Sequence, residues 1–194
     1  MDYHAQITLL RWWESMNLPP EQLKKKGVVP APSQHKAQLK RCETADQAML
    51  TEGFRALWQA LDDEVKKLAS ANDQQSAAIE MWAAIALLLA HVKKNSEKNL
   101  ASSAGAKDKS DKSVVSELRF AQLQGAKTPE DFVRRLRRII QQLGGEVNVQ
   151  SLAQNIEQWF TEQGQFRPRK ADKRISVQWA MDYYSAASSK SKAK

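Results

Sequence analysis

The sequence predicts an all-α fold, arranged as two small helical bundles joined by a flexible linker. The chain has 194 residues, of which 42% are hydrophobic, so it can bury the core of one domain or of two small ones. Gly and Pro are scarce, at seven and six residues, whereas residues that favour helices are abundant. Apolar residues recur at helical spacing, and no segment alternates like a convincing strand.

The N-terminal bundle is expected over residues 1–94. A Lys- and Pro-rich stretch, residues 23–42, is predicted to cross the surface as a loop with a basic exit at Lys40–Arg41. Residues 82–90 are apolar on nearly every side, which is typical of the central helix of a bundle. Helices of this half are predicted over about residues 3–16, 45–69 and 75–92.

Residues 95–113 are rich in Ser, Lys, Ala, Gly and Asp and contain almost no large apolar side chain, which predicts a flexible linker. A C-terminal four-helix bundle is expected over residues 114–187, followed by a disordered basic tail over residues 188–194. Its second helix is predicted to begin after an N-cap at Thr128 and to end at Gly144–Gly145. The four helices are predicted over residues 114–124, 129–143, 149–163 and 172–186.

Three of the six tryptophans favour core packing over base stacking, because they lie on apolar helical stripes. Trp58, Trp82 and Trp159 are the residues in question. Trp12 and Trp13 are adjacent, so we do not expect both to face inward, and one of them is interpreted as a mark of a partner interface.

The net charge of +8 is concentrated in the second half of the chain. Residues 1–112 carry 16 basic and 14 acidic residues, whereas residues 113–194 carry 14 and 8. A concentrated positive field attracts polyanions such as nucleic acids. The alternative is that the chain is basic without having a charged ligand.

The helix predicted over residues 129–143 carries four arginines on one side. Arg134, Arg135, Arg137 and Arg138 fall within a sector of about 160°, opposite an aliphatic face. Glu130 stands four residues before Arg134, and most of the remaining charge is expected to lack a local acidic partner. Arginine holds phosphate oxygens through two parallel hydrogen bonds, which favours a nucleic-acid surface. The alternative is that these arginines pair with acids on neighbouring helices.

The sequence gives little support for an enzymatic function, and neither a cofactor nor a metal site is expected. His4, His35 and His91 show no metal-ligand spacing with one another or with Cys42. The sequence contains no Gly-rich nucleotide loop and no nucleophile elbow. A single cysteine, no signal-peptide pattern and no apolar stretch of spanning length lead us to expect a cytoplasmic protein without a membrane contact.

Short motifs recur along both halves of the chain. Those of the second half are Arg119–Phe120, Leu136–Arg137–Arg138, Leu152–Ala153 with Trp159, and Tyr183–Tyr184. Those of the first half are Trp12–Trp13, Lys40–Arg41 and Phe54–Arg55 with Leu57. In this order the motifs resemble the CasB family, the small subunits of the type I-E CRISPR Cascade complex, and the resemblance covers about residues 7–186.

The resemblance implies a non-catalytic, all-helical subunit that contacts the backbones of crRNA and target DNA and stabilises the R-loop in antiviral defence. Its implied partners are the backbone and large subunits of Cascade, crRNA, target DNA and a second copy of itself. The open alternative is a helical adaptor between proteins that touches no nucleic acid.

The candidate nucleic-acid-binding residues come from three sources. The family motifs carry over Lys40, Arg41, Arg119, Lys127, Arg137 and Arg138, although Arg119 has a structural alternative because its neighbours face the core. The geometry of the arginine helix adds Arg134 and Arg135. A basic loop cluster adds Arg167, Arg169 and Lys170.

Overall fold

The computed structural model describes residues 1–62, 73–164 and 170–189. These residues form α-helices joined by short connections, so the predicted all-α fold is confirmed. The strands among them are two residues long each, β1 (Lys94–Asn95) and β2 (Glu146–Val147), and they pair in parallel. In this part of the chain, no helix combines the length and the apolarity needed to cross a bilayer. The chain divides into two compact units, Met1–Lys93 and Lys94–Lys194.

The first unit is built around its last helix, whose second half is an unbroken apolar run. Residues 83–90, in the last helix of the unit, have no exposed surface, as the sequence predicts for a central helix. The helices described in this unit are α1 (Tyr3–Asn17), α2 (Pro20–Lys26), α3 (Ser33–Arg41), α4 (Ala45–Met49), α5 (Glu52–Ala60) and α6 (Asp73–Ala90). Helices α3, α4 and α5 pack against α6.

The stretch predicted as a surface loop, residues 23–42, is largely helical instead. It contains the last turn of α2 and the whole of α3, and Lys40–Arg41 form the last turn of α3. Leu23 and Leu39 are buried and anchor these two helices. The prediction was wrong because two leucines suffice to fix two short helices against a core. The single helix predicted over residues 45–69 is two helices, α4 and α5, and its part from residue 63 onward lies outside the described residues.

Both tryptophans of α1 face the core, so the predicted partner interface at one of them is wrong. Trp12 is 7% exposed and donates its indole N–H to the Gly53 carbonyl of α5 at 3.0 Å. Trp13 is 2% exposed and donates its indole N–H to the Val92 carbonyl at 3.2 Å. Neighbouring side chains point about 100° apart on a helix, and both are buried here because α1 has protein on two flanks.

The second unit surrounds an aromatic core. Phe132 stacks on Trp159 with ring centroids 4.0 Å apart, and Phe120 stacks on Tyr183 at 4.6 Å. Trp179 lies beside both phenylalanines. The helices of this unit are α7 (Leu100–Gly105), α8 (Glu117–Gln124), α9 (Pro129–Gln142), α10 (Val149–Gly164) and α11 (Ile175–Ser188), with a 3-10 turn at Ala171–Lys173.

Residues 95–113, predicted as a flexible linker, instead belong to the second unit. Helix α7 lies within them, and its Leu100, Ala101 and Ala104 are buried. The helix packs closely along α11, where a Cβ atom at Gly105 would lie only 2.1 Å from the Tyr183 carbonyl oxygen. Small residues build this contact by close backbone approach, so large apolar side chains are not needed. Of the predicted tail, Ser188 ends α11, Ser189 follows it, and residues 190–194 lie outside the described residues.

Candidate nucleic-acid interface

Helix α9 begins and ends where the sequence predicts. Thr128 is the N-cap, and its hydroxyl accepts a hydrogen bond from the Asp131 backbone N–H at 3.3 Å. Pro129 occupies the first helical position, where its missing N–H has no cost. Gly144 and Gly145 follow the helix with φ angles of 69° and 81°, which glycine adopts without strain. The two ends fix the register of the arginines between them.

The aliphatic face of α9 is buried, and this orientation turns the arginines outward. Phe132, Val133, Leu136, Ile139 and Ile140 are at most 1% exposed, which confirms the predicted amphipathic helix. The two faces together decide which way each guanidinium points. Arg134 and Arg138 are exposed, whereas Arg135 and Arg137 are half-buried.

Asp131 pairs with two of the arginines, which corrects the expectation that most of this charge lacks a local acid. Its carboxylate accepts from Arg135 Nε at 2.7 Å and from Arg134 Nη2. Asp131 stands four residues before Arg135 and three before Arg134, and both spacings bring side chains together on a helix. Glu130, the partner considered for Arg134, makes no ion pair with the described residues.

The two guanidinium groups lower the pKa of the Asp131 carboxyl. The hydrogen bond from Arg135 is the largest cause. Burial opposes it to a lesser extent, and the hydrogen bond from Arg134 and the charges of both arginines add smaller decreases. Asp131 is therefore a carboxylate at neutral pH and holds a full negative charge between its two arginines.

Arg119 joins these residues from the neighbouring helix. Its Nη1 donates to the Gln142 side-chain oxygen at 2.6 Å, and Gln142 in turn donates to the Val114 carbonyl at 2.8 Å. At the other end of the seam between α8 and α9, Arg135 Nη1 donates to the Gln122 carbonyl at 2.7 Å. Asp131, Arg135, Arg138 and Gln142 fall within about 60° of one another around α9. Arg138 thus lies on the same side of α9, between the hydrogen bond of Gln142 with Arg119 and that of Arg135 with the Gln122 carbonyl.

We call Arg119, Arg134, Arg135 and Arg138 the arginine surface. These four cations make ion pairs with only one carboxylate in the described part of the chain, Asp131. Three of them are exposed, and the fourth is held by a backbone carbonyl and by Asp131. The surface can therefore present several guanidinium forks to an extended anion.

Arg137 stands apart from the arginine surface. It points to the other flank of α9, about 100° from Arg138, and it is half-buried. It also interacts with another group of the chain. The family motif and the geometry therefore differ on this residue, and its place favours a structural role.

The remaining predicted site residues are scattered. Lys40 and Arg41 are exposed on α3 in the first unit, and Lys127 is exposed in the connection between α8 and α9. Lys170 is exposed just before the 3-10 turn. Arg167 and Arg169 lie outside the described residues.

Sequence reasoning missed Lys36, which belongs to a basic cluster in the first unit. Partial burial lowers the pKa of Lys36, and the charges of Lys40 and Lys93 lower it further. Lys36 donates to the Asn17 side-chain oxygen and makes no ion pair among the described residues. The signal was the spacing of Lys36 and Lys40, which share a helix face at i, i+4 once α3 is recognised as a helix.

The described side chains contain no group of three or more His, Cys, Asp or Glu residues that could hold a metal ion. His35 lies 3.9 Å from a carboxylate oxygen of Glu52, which also accepts a hydrogen bond from the Gln34 side chain. One open groove of the second unit, of about 740 Å³, is lined in part by residues of β1, β2 and the end of α9. Among the described residues, the arginine surface is thus the feature that points most clearly to a class of ligand, an anion.

Comparison with known families gives the assignment. The family model of the CRISPR-associated protein Cse2 matches residues 35–184, which include the whole arginine surface. Searches of curated proteins and of solved structures gave no match. Because the family model covers well over half of the chain, the protein belongs to the Cse2 (CasB) family and is a subunit associated with the CRISPR Cascade complex.

Proposed function

We propose that this subunit binds the sugar–phosphate backbones of crRNA and target DNA through its arginine surface and thereby stabilises the R-loop. It performs no catalysis in this role, and it serves antiviral defence as one of several Cascade subunits, present in more than one copy. The observation that carries the proposal is the outward-facing set of four arginines, with which Asp131 is the one carboxylate to form ion pairs among the described residues.

The chemistry of arginine supports backbone binding. A guanidinium group offers a planar pair of donors that matches two phosphate oxygens, and it is less strongly hydrated than an ammonium group. Arg119 and Arg135 are already oriented by hydrogen bonds to Gln142 and to the Gln122 carbonyl. Less side-chain freedom is therefore lost when they meet a phosphate.

Such contacts can have a large effect on R-loop formation, because the exchange of duplexes is nearly balanced in free energy. The RNA–DNA duplex that forms is about as stable as the DNA duplex that it replaces, so modest protein contacts to the backbone shift the balance. Contacts of this kind position the strand without reading its sequence, as a surveillance complex with variable guides requires. Lys40, Arg41, Lys127 and Lys170, and by sequence Arg167 and Arg169, are proposed as further backbone contacts.

Salt-dependent binding tests the proposal. Fluorescence anisotropy would follow labelled single-stranded DNA, duplex DNA and RNA between about 50 and 200 mM salt. The test variant is Arg119→Gln with Arg138→Gln, and the matched control is Lys24→Gln with Lys25→Gln, which removes the same charge from exposed positions of the first unit. Circular dichroism would verify that both variants are folded.

We expect the slope of log affinity against log salt to become shallower by about 1.4 in the test variant, at roughly 0.7 per lost contact with a single strand. The control should keep a slope close to that of the wild type. Equal slopes and affinities in all three proteins would show that the arginine surface does not hold phosphates.

A second candidate is a helical adaptor that contacts other Cascade subunits and no nucleic acid. It is favoured by exposed apolar residues in the second unit, where Leu118, Met181 and Tyr184 are 72%, 69% and 50% exposed. Met181 and Tyr184 share a face of α11, and Tyr184 donates its hydroxyl to Glu117 on α8. In this case the isolated subunit would bind none of the three nucleic acids, and Met181→Gln would impair its incorporation into the complex.

A further inference from the structure

Asp131 is held in place at the start of α9. Its backbone N–H is bound by the Thr128 hydroxyl, so its position is set by the N-cap of the helix. From there its side chain, which is 22% exposed, reaches both Arg134 and Arg135. The carboxylate also lies at the positive end of the helix, where negative charge is favoured.

The two arginines that Asp131 holds differ in what else they contact. Arg135 keeps a second partner in the Gln122 carbonyl, whereas Arg134 makes its one hydrogen bond among the described residues with Asp131. Arg119 and Arg138 make no ion pair with a described carboxylate. The arginine surface is therefore divided into a half that has an internal anion and a half that does not.

We propose that Asp131 competes with nucleic-acid phosphates for Arg134 and Arg135 and so lowers the affinity of the arginine surface for any backbone. The inference rests on the proposed function, because it names what regulates that surface. A phosphate that binds Arg134 must displace the carboxylate or approach it against electrostatic repulsion. The carboxylate thus restrains binding to stray nucleic acid, while a strand held in place by the rest of the complex can still displace it.

Replacing the carboxylate by an amide tests the inference. Asp131→Asn keeps the shape of the side chain and removes its charge, and the matched control is Glu130→Gln. Glu130 is the adjacent exposed acid in the same helical turn, and it makes no ion pair with described residues. Both variants gain one unit of net charge, so a difference between them reports the contact with the arginines.

We expect Asp131→Asn to bind single-stranded DNA about two- to five-fold more tightly than Glu130→Gln, as the strength of an exposed ion pair implies. Its salt dependence should be steeper by about 0.7. Equal or weaker binding by Asp131→Asn would overturn the inference. In that case the proposed function would still stand if Arg119→Gln with Arg138→Gln weakened binding. The proposed function itself would fail if neither the wild type nor any variant bound nucleic acid.

A measurement on the wild-type protein avoids any effect of the substitution on folding. The side-chain carboxyl carbon of Asp131 can be followed by NMR during titration with a short single strand of DNA. Displacement from the arginines predicts that this signal moves with the same binding curve as the Arg134 and Arg135 side chains. Movement of the arginine signals with a stationary Asp131 signal would contradict competition.

Discussion

Gly105→Ala tests the packing of α7 on α11, the feature that makes residues 95–113 part of the second unit. A Cβ atom at this position would lie 2.1 Å from the Tyr183 carbonyl oxygen, 2.9 Å from its carbon and 3.0 Å from Tyr183 Cα. Close C–H···O contacts in proteins are normally about 3.3–3.6 Å between carbon and oxygen. All three atoms belong to the backbone, so a side-chain rotation cannot relieve the clash.

The size of the effect follows from this geometry. The two helices would have to separate by roughly 1 Å, which loosens buried contacts along α7, and overpacking of this kind typically costs about 1–3 kcal/mol or more. Alanine would recover up to about 1 kcal/mol through its higher helix propensity. We therefore expect the free energy of unfolding to fall by about 2 kcal/mol.

Urea unfolding followed by circular dichroism measures this change. Gly125→Ala is a matched control, because a Cβ atom there would meet its nearest atoms at 3.5 and 3.7 Å, which is ordinary contact. The control should remain within about 0.5 kcal/mol of the wild type. Equal stability of the two variants would refute the close approach of α7 and α11.

Three further predictions concern the second unit. Tyr183→Phe should destabilise the protein by about 1–3 kcal/mol in urea unfolding, because the buried Tyr183 hydroxyl donates to the Val115 carbonyl at 2.7 Å. Tyr184 is exposed, so Tyr184→Phe should destabilise the protein much less. Thr128→Ala should lower stability by about 0.5–2 kcal/mol through loss of the N-cap, while Thr128→Ser should retain most of it. The pKa of Asp131 is lowered, so its contribution to stability is fully present above the ordinary aspartate pKa of about 3.9 and is lost as pH falls through the lowered value. The stability difference between wild type and Asp131→Asn, measured by urea unfolding, should therefore disappear on acidification. A difference that grew in acid would contradict the ion pairs.

Much of the second unit could be predicted from the sequence because its signals are local. The aliphatic spacing of α9, its threonine cap and its paired glycines each act within one helix, and the structure reproduces them. The burial of residues 83–90 follows in the same way from an unbroken apolar run. Local rules of this kind do not depend on which helices lie nearby.

The features that the sequence did not predict depend on contacts between distant segments. Helix α7 has few large apolar residues, and its burial requires the approach of Tyr183, far away in the chain. The burial of both Trp12 and Trp13 requires Gly53 and Val92 on two flanks of α1. Such contacts cannot be read from residue spacing within one segment.

The candidate site was predicted in part for the same reason. The outward direction of the arginines follows from the helix period. Which of them belong to the arginine surface, and which of those pair with Asp131, does not. Only the structure separates Arg137 from the others and shows that Arg119, a candidate from the family motif, is linked to α9 through Gln142. The pairing of Asp131 with Arg135 was available from the i, i+4 spacing and was overlooked.

The lifetime of the R-loop in a reconstituted Cascade complex tests the central claim most directly. The complex would carry either Arg119→Gln with Arg138→Gln or the control Lys24→Gln with Lys25→Gln, with equal incorporation verified by mass. We predict that target DNA dissociates several-fold faster from the arginine variant than from the control, and that the difference changes with salt because phosphate contacts are lost. An R-loop lifetime equal to that of the control, at full incorporation of the variant, would contradict the claim that the arginine surface holds the nucleic-acid backbone.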